Sequence, residues 1–128
     1  MQKRWIMMLC VVVLLLVSAQ AFAEYDKDLV VKAMRANVAN LGDVKKAAQE
    51  GNFFTAAEKL MEIAKTVKSL DAFTPPKGTK EDWDKIHDDL IKAVFKAIGV
   101  CGEEDAKKLT TYLDEIGALM KQGHSMFR

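Results

Sequence analysis

Apolar positions recur along the chain at alternating spacings of three and four residues and nowhere alternate with period two over a useful length, so the pattern predicts helices throughout. The first runs from about Asp26 to Gln49, with Val30, Met34, Asn37, Leu41, Val44 and Ala48 on one stripe, and stops at Gly51-Asn52. A second runs from about Phe53 to Leu70 on Phe53, Ala57, Leu60, Ala64 and Val67, flanked by Phe54 and Met61. Thr74-Pro75-Pro76-Lys77-Gly78 then breaks the pattern, because proline disfavours helical geometry in the residue before it and glycine permits turns. Thr79 is an apt N-cap for a third helix, with Glu81 and Asp82 suited to its positive end and Trp83, Ile86, Leu90, Val94 and Ala97 facing inward. Gly99-Val100-Cys101-Gly102 reads as a short turn, after which a fourth helix opens on Glu103-Glu104-Asp105 and carries Leu109, Leu113, Ile116, Met120 and His124 inward.

Short turns between long amphipathic helices favour antiparallel neighbours, so the expected fold is all-α: an up-down-up-down four-helix bundle over residues 24–128. The segment before it has the layout of a signal peptide. Lys3 and Arg4 supply charge, Ile6 to Val17 an apolar run, and Ala21-Phe22-Ala23 a small-x-small cleavage site. Residues 1–23 are therefore expected to be removed, leaving Glu24 at the start of an exported, periplasmic protein. No later stretch approaches the ~20 apolar residues needed to span a bilayer, so no stable membrane insertion of the mature chain is expected.

Removing Lys3 and Arg4 lowers the basic groups from 19 to 17, against 18 acidic, and this balance gives no bias towards nucleic acid. Cys10 leaves with the signal. Cys101 is then the only cysteine, so no intramolecular disulfide can form. Its place in a turn before a helix amino terminus modestly favours thiolate. No Ser/His/Asp arrangement, phosphate loop or closed set of metal ligands points to catalysis, and the chain is not expected to be an enzyme.

The residues with chemistry lie at one end of the expected bundle. His124 sits on the inner stripe of the last helix, and a neutral imidazole aimed into a helical bundle is a common axial ligand for haem iron. In an antiparallel bundle the first helix begins where the fourth ends, which places Met34 at the level of His124. Thioether and imidazole from opposite sides make a six-coordinate haem pocket of raised reduction potential. Either residue alone has a plainer role, methionine as a filler of core gaps and histidine as a helix cap. His87, between Ile86 and Asp88, falls at the margin of its stripe and is a reserve ligand.

The mature chain resembles the cytochrome c-prime and cytochrome b-five-six-two superfamily over its whole length. The closing His124-Ser125-Met126-Phe127-Arg128 is similar to that family's ending, Thr74-Pro75-Pro76-Lys77 to the linker of its b-type members, and Asp82-Trp83 to its acidic-aromatic pair. The resemblance implies His124 as proximal iron ligand and Met34 as axial methionine. A c-type member carries Cys-x-x-Cys-His, whereas this chain has Met120-Lys121-Gln122-Gly123-His124, so covalent haem is excluded there and non-covalent haem b is implied. Trp83, Ile86 and Met120 would line the haem, Gly117 and Gly123 leave room, and Lys121 and Arg128 lie near the propionates.

The leading expectation is an exported haem-b electron carrier, monomer or homodimer, serving an unidentified redox partner. Two alternatives stand beside it. One is a haem-free bundle that binds or senses a transition metal such as copper through methionine and histidine. The other is a five-coordinate, gas-binding haem, should Met34 not reach the iron.

Overall fold

The computed structural model describes residues 24–128, and the signal peptide expected over residues 1–23 lies outside the described residues. Its helices are α1 Lys27–Gln49, α2 Phe53–Ser69, α3 Lys80–Glu103 and α4 Ala106–Phe127, with a 3-10 turn, Leu70–Ala72, closing α2. Consecutive helices pack along their lengths and α1 meets α4, giving the expected all-α four-helix bundle. Among the described residues no helix is long and apolar enough to cross a membrane.

Each helix starts where a side chain can satisfy its orphan amides. Asp26, Asn52 and Thr79 accept from the N–H of Leu29, Thr55 and Asp82 at 3.1 Å each, and Asp105 accepts from Lys108 N–H at 3.0 Å. Such a cap stabilises a helix by about 1 kcal/mol. The first helix therefore begins one residue later than the periodicity suggests, with Asp26 outside it as the cap.

The turn expected at Gly99-Val100-Cys101-Gly102 is not a turn. Helix α3 runs through it to Glu103, the reversal falls at Glu104-Asp105, and α4 opens at Ala106 rather than Glu103. Two helical glycines cost about 1 kcal/mol each relative to alanine. Val100 and Cys101 are both only 4% exposed, and burying such side chains returns about as much. The helix ends at Glu104 in the left-handed region at φ +56°, the only non-glycine residue with positive φ among those described.

The core has two parts. Val44, Leu60, Ile63, Val94, Leu109 and Ile116 centre the larger one in the middle of the bundle. A smaller cluster of Val30, Leu70, Trp83, Ile86 and Phe127 closes the end where α1 begins and α4 finishes. The inner stripe of α2 is wider than expected, since Ala56 and Ile63 are fully buried whereas Phe53 and Ala57 pack only at the rim. A helix wedged between two neighbours must bury two adjacent stripes.

Two features of the long connection shape that end. Lys80 Nζ donates to the carbonyls of Asp71 and Phe73 at 2.6 and 3.0 Å and to Asp84 Oδ1 at 2.7 Å, tying the 3-10 turn and the linker to α3. Gly78, at φ +80°, passes so close to Phe127 that a Cβ there would lie 3.0 Å from the ring. The linker therefore presses the last aromatic of α4 into the small core. Helix α1 packs far less extensively on α4 than on α2, making the α1–α4 seam the thinnest in the bundle.

Candidate functional site

Trp83 organises the small core. Its side chain is 1% exposed, and its Nε1–H donates to the Leu70 carbonyl at 2.9 Å, satisfying the indole in an otherwise apolar place. Phe127 and His87 meet it edge to face at centroid distances of 5.0 and 4.5 Å, and Tyr25 at 6.4 Å.

Around this tryptophan the structure brings the expected site residues together. Met34 from α1, Trp83, Ile86 and His87 from α3, and Met120, Gly123 and His124 from α4 line one cavity of about 50 Å³. A groove of about 640 Å³ shares Met34, Trp83, Gly123, His124 and Phe127 with it and adds Lys27, Pro76, Lys77 and Arg128. Met34 and His124 thus stand at the junction of both. Arg128 lies in the groove, whereas Lys121 is exposed and lines neither space. Gly123 faces Ile86, and a Cβ there would make an ordinary 3.7 Å contact; at Gly117 it would meet nothing within 4 Å.

Electrostatics favour a ligating imidazole at His124. Burial, and then the nearby Arg128 charge, hold its pKa below the usual 6.5, so the ring is neutral at neutral pH. Among the described residues it has no hydrogen-bond partner, leaving its nitrogens available. Met34 is half-buried beside it.

His87 is not at the margin of its stripe, as its spacing suggested. It is 4% exposed, and its Nδ1 lies 3.0 Å from Asp71 Oδ1. Burial pushes its pKa down, and the Asp71 contact only partly offsets that. A neutral ring next to a carboxylate carries its proton on Nδ1, so Nδ1–H donates to Asp71 and Nε2 keeps its lone pair. Asp71 also accepts from Lys68 Nζ at 2.9 Å through its other oxygen.

Asn37 adds a polar point to the cavity wall. It is 5% exposed, and its Oδ1 has no hydrogen-bond partner among the described residues. An acceptor left unpaired in an apolar wall costs about 1–3 kcal/mol, so it favours a donor entering the cavity.

Cys101 needs correction. It is buried in the last turn of α3 rather than lying in a loop, and burial pushes its thiol pKa up, which makes it an inert packing residue. Sequence reasoning also missed Asp71, Lys27 and Lys77. Asp71 lies beyond the end of the apolar pattern of α2, and Lys77 is in the linker, so neither falls on a periodic face. Lys27 stands between Asp26 and Asp28 in the sequence, so no local run of charge points to it.

Neither a protein-family model, a curated protein nor a solved structure matches this chain.

Proposed function

We propose that this protein is an exported haem-b electron carrier whose iron would be held by His124 and Met34. The observation that carries this reading is their meeting: residues 90 positions apart in the sequence line the same cavity and the same groove. The resemblance of His124-Ser125-Met126-Phe127-Arg128 to the ending of the cytochrome c-prime and cytochrome b-five-six-two superfamily points the same way.

The residues present fit the group. The neutral, unpartnered imidazole and the thioether are a haem-iron donor set. Apolar Trp83, Ile86, Met120 and Phe127 suit a porphyrin face, and Lys27, Lys77 and Arg128 at the mouth suit its two carboxylates. The groove falls within the ~300–1,000 Å³ usual for cofactor sites, whereas the enclosed part alone is far smaller. Accommodation therefore draws on the groove and on the thin α1–α4 seam.

When bound, the haem supplies a reversible one-electron couple. The protein's own part would be to present Met34 from α1 and His124 from α4, to cover the group with Trp83 and so exclude water, and to leave Lys27, Lys77 and Arg128 at the open edge. Thioether ligation and an apolar pocket both favour the reduced, less charged iron and raise the potential.

Titration of the purified protein with haemin tests this. A saturable Soret band with a low-spin spectrum is expected at one haem per chain, lost in His124→Ala. Met34→Ala should give a five-coordinate ferrous form that takes up carbon monoxide, the gas-binding state. Absence of any Soret band on reconstitution would sink the proposal.

One observation favours a second reading, a metal-binding module without haem. His87, with its Nδ1 held by Asp71, has the carboxylate-backed posture of many metal-ligating imidazoles and lines the same cavity as Met34 and His124. Two imidazoles and a thioether suit copper(I). No group of three or more His, Cys, Asp or Glu residues placed to hold a metal occurs among the described residues, so Met34 would have to take part. Titrating the haem-free protein with copper(I) and with haemin separates the two readings by which one binds at micromolar concentration or tighter.

A further inference from the structure

The face of the bundle formed by α2 and α3, away from the cavity, carries an apolar stripe that none of the described residues covers. Phe54 is 76% exposed, Phe95 52% and Met61 37%. Between the two helices runs a groove of about 590 Å³ bordered by Met61, Lys65, Lys68, Asp88, Ile91 and Phe95. Large aromatics so exposed forgo about 1.5–3 kcal/mol each on burial, which makes the stripe a contact surface in need of an occupant.

The spacing identifies that occupant. Phe54, Met61 and Lys68 lie seven residues apart on α2, and Asp88, Phe95 and Gly102 lie seven apart on α3. A seven-residue repeat keeps one stripe facing a partner along its length. The helices are antiparallel, and the groove sets Met61 near Phe95 and Lys68 near Asp88. The same register puts Phe54 level with Gly102. Each bulky residue on one helix thus has a flat, apolar or oppositely charged residue at its height on the other.

From this we infer that the α2–α3 face binds a second copy of this chain. A two-fold axis parallel to the helices lays α2 of one protomer over α3 of its partner while preserving height. Phe54 then covers the partner's Gly102, where an added Cβ would meet nothing within 4 Å and the surface is open. Met61 meets the partner's Phe95, and Lys68, exposed although it also donates to its own Asp71 at 2.9 Å, meets the partner's Asp88. Every pairing occurs twice, so the face is self-complementary in shape and charge, which a face of single charge or a random scatter of phenylalanines would not be.

The patch also sets the strength of the contact. Fourteen residues of helix make a stripe ~21 Å long and two helices make it ~20 Å wide, on the order of 400 Å² in projection. That is below the ~800 Å² per partner of a standard stable interface, so the dimer is reversible. It leaves the cavity, the basic groove and the α1–α4 seam open, and does not depend on haem.

Sedimentation velocity from about ten micromolar to about one millimolar protein tests the inference. A concentration-dependent monomer–dimer equilibrium is expected. Phe95→Ser should abolish it and Asp88→Lys should weaken it at least about tenfold, while Lys68→Glu combined with Asp88→Lys should restore it. Circular dichroism checks that the variants fold, and Phe54→Ser replaces Phe95→Ser should the latter not fold. A chain monomeric throughout, or dimers indifferent to both phenylalanine changes, would overturn the inference. Failure of the double charge exchange to restore a weakened dimer would overturn it too, as would a monomer that cosediments with phosphatidylglycerol vesicles through this face.

Discussion

His87 Nδ1 and Asp71 Oδ1 lie 3.0 Å apart, joining α3 to the turn after α2 and fixing which nitrogen of a buried imidazole keeps its lone pair. The contact has a pH signature. Burial holds the folded pKa of His87 below 6.5, so the unfolded chain takes up this proton first as the solution is acidified. The stability is fully present above about pH 6.5 and is lost as pH falls through the lower, folded value. His124 shifts in the same direction. For Asp71, burial raises the carboxyl pKa, but hydrogen bonds from Lys68 and His87 outweigh it, so its contribution is lost only in more acidic solution, below 3.8. Melting temperature is thus expected to drop as pH falls below about 6.5, and less steeply in His87→Gln. Parallel curves for the two proteins would remove His87 from this account.

Asn37→Leu replaces an unpaired, buried acceptor by a somewhat larger apolar side chain with the same number and branching of heavy atoms. Urea denaturation of the haem-free protein should show it about 1 kcal/mol more stable than the parent. A loss of stability would mean that Oδ1 has a partner in solution.

Glu104 ends α3 in a conformation that costs an L side chain about 1–2 kcal/mol and glycine almost nothing. Glu104→Gly is expected to stabilise the fold by about 1 kcal/mol, less what glycine's freedom adds to the unfolded chain. A lower denaturation midpoint for Glu104→Gly would show the left-handed turn to be held by more than local backbone preference.

Cys101 should react with thiol reagents slowly in the native protein and at the ordinary rate once unfolded, because the thiol is 4% exposed and burial raises its pKa. Rapid native labelling would place it back at the surface.

Most of the fold was legible in the chain because amphipathic periodicity and capping residues report directly on local energetics. Thr79 and the stripe from Trp83 to Ala97 stand in the structure where the pattern puts them. The error at Gly99-Gly102 arose because glycine's local cost is visible in sequence, while the burial of Val100 and Cys101 that offsets it depends on the neighbouring helices. The same division applies to the site. That Met34, Trp83, Ile86, Met120 and His124 share one end of the bundle was legible because antiparallel topology dictates which helix ends lie level. The Asp71–His87 contact, across 16 residues and a helix end, was not, since it depends on how the 3-10 turn is tied down by Lys80.

The cavity cannot close without the last helix, which brings Met120 and His124 to Met34 and Trp83, while the larger core draws on all four helices. A chain emerging during synthesis can begin to bury Leu60 against Val94 long before His124 exists. Every ligand that needs both Met34 and His124 can therefore bind only once α4 has been made. Loading of such a ligand becomes a late, separate step, and a cut just before His124 spares Leu109, Leu113 and Ile116 of the larger core while removing one side of the cavity.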